Sequence, residues 1–90
     1  MKNMETESGV HMTFYIPGVK KESVHVSFDE RVCIVKSDVE VPYFGELNTK
    51  IKMKFDVDYE KTTCKMENGI LEVFVYKVKN ESKQININID

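Results

Sequence analysis

The stretch TTCKMENGILEVFVY, residues 62–76, constrains the fold more than any other. Two short runs that read as strands, TTCKM and ILEVFVY, flank the turn at Asn68-Gly69. Asparagine and glycine both tolerate positive φ, so the pair fits the two central positions of a type I′ hairpin. Side chains on a strand alternate between its faces, so each run can bury one face and expose the other. A chain holding such a hairpin must find a second layer to cover the apolar side.

The same period recurs elsewhere. In VHMTFYI, residues 10–16, Val10, Met12, Phe14 and Ile16 alternate with His11, Thr13 and Tyr15 until Pro17-Gly18 breaks the run. In SVHVSF, Val24, Val26 and Phe28 alternate with Ser23, His25 and Ser27. FDE at 28–30 reads as a tight connection into RVCIV, with Val32 and Ile34 expected on one face and Cys33 facing away from them. In LNTKIKMKF, residues 47–55, Leu47, Thr49, Ile51, Met53 and Phe55 oppose Lys50, Lys52 and Lys54. Between these runs KSDVEVPYFGE holds Pro42 and Gly45, which argue against a central strand. Short antiparallel strands at this spacing predict an all-β, immunoglobulin-like sandwich of roughly seven to eight strands.

Composition excludes several functions. Ninety residues with 41% hydrophobic and 31% charged content suit one small globular domain, not a disordered chain. The net charge is −2, the twelve lysines are scattered, and Arg31 is the single arginine, so no nucleic-acid partner is expected. No run is long and apolar enough to span a membrane, and MKNMETES lacks the apolar core of a signal peptide. Cys33 and Cys64 do not make a disulfide framework, which predicts a reduced, cytoplasmic protein.

Chemistry is equally sparse. His11 and His25 fall opposite the apolar set and are expected to face solvent. Cys33 is expected to be an outward or interface thiol, and Cys64 a small buried hydrophobe. Their spacings do not resemble a zinc site, so no metal and no cofactor is predicted. Asp56 and Asp58 read as turn residues. With no nucleophile–base pattern and no phosphate loop, the chain is not expected to be an enzyme.

Order and spacing resemble one family. YIPGVKKESVHVSF, residues 15–28, is similar to the LPGVKKEDIKVEV signature of the alpha-crystallin domain of small heat-shock proteins. RVCIVKSD stands where that family has a strand of the LTISGE type. GELNTKIKMKFDVDYEKTTCKMENGILEVFVYK resembles the stretch ending in A-x-x-x-N-G-V-L-x-V, with Cys64 at the alanine position. KNMETES, residues 2–8, would be the opening strand. The resemblance implies a sandwich domain over residues 1–77 and a C-terminal extension over 78–90. It also implies an ATP-independent holdase of the stress response that binds exposed apolar segments of unfolding proteins. A client- and tail-binding groove would be lined by Val24, Val26, Phe28, Thr62 and Cys64. The comb Ile85, Ile87, Ile89 resembles the family's I-x-I docking motif, and is otherwise the last edge strand of the sandwich. Two docked isoleucines contribute roughly 1.5–3 kcal/mol each. Ordering the tail costs on the order of 1 kcal/mol per residue, which leaves weak, exchangeable docking.

Departures from the family fall on its interface. The domain is read as standing without the usual N-terminal arm, and the 36–47 loop is shorter than in bacterial and plant members, where it carries a strand swapped between subunits. Thr49 replaces an arginine, Met53-Lys54 a leucine-proline pair, and Tyr76-Lys77 a proline-lysine pair. A dimer or small oligomer with tail-in-groove contacts is the expectation. The alternative is a scaffold or co-chaperone module on the same sandwich, as in CS domains or a crystallin-like domain of a larger assembly.

Overall fold

The computed structural model describes residues 2–79, and the Ile85–Ile87–Ile89 comb lies outside them. Seven strands run in chain order: β1 (Lys2–Glu5), β2 (Gly9–Tyr15), β3 (Val24–Asp29), β4 (Val32–Ser37), β5 (Asn48–Lys52), β6 (Thr63–Glu67) and β7 (Ile70–Tyr76). The helical content among the described residues is one 3-10 turn, Lys21–Ser23. Two antiparallel sheets form the sandwich, ordered β1-β2-β7-β6 and β3-β4-β5.

Pairing registers carry the alternation into a core. Across the four-stranded sheet Met12 opposes Val73, which opposes Cys64; Phe14 opposes Leu71, which opposes Met66. Across the three-stranded sheet Val26 opposes Val35, which opposes Thr49; Phe28 opposes Cys33, which opposes Ile51. Directly opposed residues project to the same side, so each such row faces the other sheet. Met12, Cys33, Val35, Val73 and Val75 are at most 1% exposed, and no polar or charged described residue is buried. The hairpin forms as expected, with Asn68 at φ 52° and Gly69 at φ 77°.

Connections complete the core. Val19, Val41 and Val57 are buried although each lies outside a strand. The loop after β4 closes on itself through a bridge between Val41 and Gly45, leaving Tyr43 and Phe44 in solvent. Asp58 is the turn residue expected, its carboxylate accepting from the Glu60 and Lys61 amides. Asp56 instead holds Arg31 at 2.8 Å.

Three expectations change. Cys33 is fully buried and Val32 and Ile34 are the half-exposed pair, the reverse of an outward thiol. VCIV is apolar on both faces, so the period cannot set its phase; opposition to Phe28 and Ile51 does. Cys64 is exposed, not buried, because β6 is a sheet edge and its inner side opens laterally. His25 is exposed and meets Asp38 at 2.9 Å, but His11 is half-buried and stacks on Phe74 at 4.3 Å.

Candidate functional site

A sandwich of two short sheets has two lateral seams, where edge strand faces edge strand. The edges here are β1 and β6 of one sheet and β3 and β5 of the other. Between β3 and β6 lies an open cavity of about 420 Å³. Val24 and Val26 contribute from β3, Cys64 and Met66 from β6, and Leu71 from β7 beneath, with Lys21 and Lys65 at the margin. The alternation of each strand turns these apolar residues inward, while edge position leaves them without a neighbouring strand to cover them.

Of the five groove residues expected from sequence, Val24, Val26 and Cys64 share this cavity. Phe28 projects from the same face of β3 but meets the Tyr59 ring edge-on at 5.9 Å. Thr62 accepts from the Tyr76 amide at 3.2 Å and donates its hydroxyl to the Asp58 carbonyl at 2.8 Å. Neither lines the cavity. Met66 was legible as the next inward position after Cys64, and Leu71 as its partner across the hairpin. Lys21 and Lys65 carry no such signal, because a loop and a distant strand bring them together.

The two thiols differ sharply. Burial, and after it the charge of the nearby Cys64, pushes the Cys33 thiol from 9.0 up to about 11. Cys33 is therefore held as a neutral thiol at physiological pH, whereas Cys64 opens on the cavity. Among the described residues no group of three or more His, Cys, Asp or Glu side chains is placed to hold a metal ion. No described helix is long and apolar enough to cross a membrane.

A second cavity, of about 250 Å³, fills the β1/β5 seam. Val10, Ile51, Met53 and Phe55 supply its apolar side, and its charged lining is Lys52, Lys54 and Lys77 against the single carboxylate of Glu5 among the described residues.

Comparison with known proteins decides the family. The family model described as Hsp20/alpha crystallin family matches residues 2–90. The chain belongs to the Hsp20/alpha crystallin family. It is 30% identical over 95 residues to a chloroplastic small heat shock protein of Pisum sativum, covering 94% of this chain and 41% of that protein. Small heat shock protein C4 of Rickettsia felis is 26% identical over 98 residues, covering 94% of this chain and 60% of the relative. The chain thus spans less than two thirds of the length of these relatives. Heat shock protein 16.0 from Schizosaccharomyces pombe superposes with a TM-score of 0.75 at 23% identity, covering 99% of this chain and 80% of that one. A small heat-shock protein from Xylella fastidiosa gives 0.75 at 13% identity, covering 98% and 94%. The fold expected from the alternation and the hairpin is the one these structures share.

Proposed function

We propose that this protein is an ATP-independent chaperone of the small heat-shock class, a holdase that captures exposed apolar segments of unfolding proteins in the β3/β6 groove. One observation carries the reading: an apolar, laterally open cavity bordered by two edge strands. An extended segment entering it can bury alternate side chains on Val24, Val26, Met66 and Leu71, and can pair its backbone with an edge. Such a site needs no nucleotide, since the binding energy is surface burial. Its floor is short, so affinity per segment is modest and reversible, as suits temporary capture.

Residues 78–90 act as the extension, with Ile85, Ile87 and Ile89 competing for the same groove on a neighbouring copy. Self-association is the second part of the proposal. The loop at 38–46 carries Asp38, Glu40 and Glu46, no cation, and the exposed Val39, Tyr43 and Phe44. That chemistry complements the lysine-bordered apolar seam between β1 and β5 of a partner copy. A reducing compartment, the cytoplasm, keeps Cys64 a thiol.

Two measurements test this. The protein should suppress aggregation of a heated client without nucleotide, and client should slow maleimide labelling of Cys64. Absence of suppression would favour the scaffold reading. Replacing Ile85, Ile87 and Ile89 with glycine should speed Cys64 labelling and shift sedimentation toward smaller species while leaving the melting nearly unchanged. Unfolding of that variant would make the comb a core strand and remove the docking role.

A further inference from the structure

The margins of the β3/β6 groove carry a charge bias that apolar capture alone does not need. Lys21, in the 3-10 turn leading into β3, borders the cavity on one side, and Lys65 of β6 borders it on the other. Among the described residues no carboxylate lines the cavity. Lys65 is shared with Glu72 at 3.4 Å, so part of its charge is already met. Lys21 is exposed, and no ion pair is recorded for it among the described residues. An extended segment lying over Val24, Val26, Met66 and Leu71 brings its flanking residues to these two ammonium groups.

Resting on the groove reading above, we infer that the groove selects by charge among apolar segments. Its preferred occupant is an extended apolar stretch of an unfolding protein that carries carboxylates beside its apolar residues, and lysine- or arginine-flanked stretches bind less well. The physical reason is unequal compensation. A carboxylate arriving at Lys21 gains a partner that is otherwise only hydrated, whereas an arriving cation meets like charge at both margins. Specificity then comes as much from rejection as from attraction. The chain's own residues 85–90, ININID, hold one acid and no base, so they compete within the favoured class.

This selectivity is distinct from capture itself. Apolar burial fixes whether a segment binds; the lysine margins fix which of two equally apolar segments binds better. Both margins are solvent-accessible, so the discrimination is a salt-sensitive, few-fold effect, not an absolute gate.

Two acetylated, amidated peptides sharing the core Ile-Asn-Ile-Asn-Ile, one flanked by aspartate and one by lysine, test the inference on the full chain. Protection of Cys64 from a neutral maleimide reads occupancy, because the buried Cys33 does not react on that timescale. At low salt the aspartate peptide should protect at about three- to tenfold lower concentration than the lysine peptide. The gap should close at about 0.5 M salt, and the order should level or invert in Lys21→Glu and narrow in Lys21→Gln. Lys21 is on the surface, so both variants keep the fold. Equal protection by both peptides, or a preference that survives salt and Lys21→Glu, overturns the selectivity while leaving the groove in place. Failure of both peptides to protect Cys64 overturns the groove reading and the selectivity with it.

Discussion

The two seams of the sandwich are built from the same materials and end differently. Each joins an edge of the four-stranded sheet to an edge of the three-stranded one, and each holds an apolar cavity bordered by lysines. At the β3/β6 seam both edges are anchored in strong elements. β6 is half of the Asn68-Gly69 hairpin and β3 pairs along its whole length with β4. At the β1/β5 seam one wall is the four-residue β1, exposed at every position and paired among the described strands only with β2. A firm seam can bind and release a segment without changing shape. A weakly walled one leaves apolar surface that the proposed contact from another copy's loop, with its exposed Tyr43 and Phe44, would cover.

The sharpest way to break the comparison is at Gly9. A Cβ there would fall 1.8 Å from the Val75 carbonyl oxygen, a backbone atom that cannot swing aside. Gly9 also closes the turn with Thr6 that returns β1 onto β2. Gly9→Ala should cost roughly 2–4 kcal/mol and lower the Tm by more than about 10 °C, measured by calorimetry. Below the new Tm, peptide protection of Cys64 should persist, because the damage lies on the far seam. Loss of protection in the still-folded variant would mean that the two seams are one cooperative unit.

Next in size is an alkaline effect centred on Cys33. Its thiol is raised in the folded state from 9.0 to about 11. The unfolded chain therefore loses this proton first, and deprotonation favours unfolding. The contribution is nil below about pH 8 and grows as pH rises through 9, reaching on the order of 2–3 kcal/mol near pH 11. Denaturant titrations across that range should show a steeper loss for the wild type than for Cys33→Ala. Parallel slopes would show that Cys33 has the same proton affinity folded and unfolded.

These cysteines also mark what sequence could and could not yield. Strands with clear alternation, β2 and β3, were legible because one residue set is apolar and the other is largely not. The hairpin was legible because Asn68 and Gly69 accept positive φ. Phase failed at β4, where Val32, Cys33, Ile34 and Val35 give both faces an apolar set. Val41 entered the core from a polar loop, held by its bridge to Gly45, which no local pattern announces. Within the groove, periodicity put Val24 and Val26 on one face of β3, and the family resemblance placed that face in the groove. Cys64 was placed at the groove but mistaken for buried, since exposure depends on what covers an edge. Lys21 and Lys65 depend on a distance through space, and no spacing along the chain encodes it.

A smaller effect sharpens the β3 wall. Phe28 is half-buried, and its ring meets Tyr59, whose hydroxyl donates to the Glu30 carbonyl at 2.6 Å. Phe28→Ala removes the aromatic pair that steadies β3 beside the cavity, at a cost of roughly 1–2 kcal/mol. Cys64 labelling should quicken at the same time, since β3 loses part of its support although Phe28 itself does not line the cavity. An unchanged labelling rate would separate Phe28 from the groove.

The smallest effect tests whether the seams act independently. Lys77 holds its ammonium 5.6 Å from the centre of the Phe55 ring in the β1/β5 seam. Its backbone amide, bonded to the Ser8 carbonyl at 2.8 Å, is untouched by side-chain changes. At an exposed site such a cation–π contact contributes about 0.5–1 kcal/mol. Lys77→Gln should therefore lower stability by no more than about 1 kcal/mol, with Lys77→Arg recovering most of it. Combined with Phe28→Ala, the two losses should add to within about 0.5 kcal/mol, because the residues lie on opposite seams and share no contact. A coupling above about 1 kcal/mol in that double-mutant cycle would show that strain passes through the Ile51–Cys33–Phe28 row joining β5 to β3. The groove would then sense whatever fills the other seam, and the proposed capture and self-association would be linked rather than parallel.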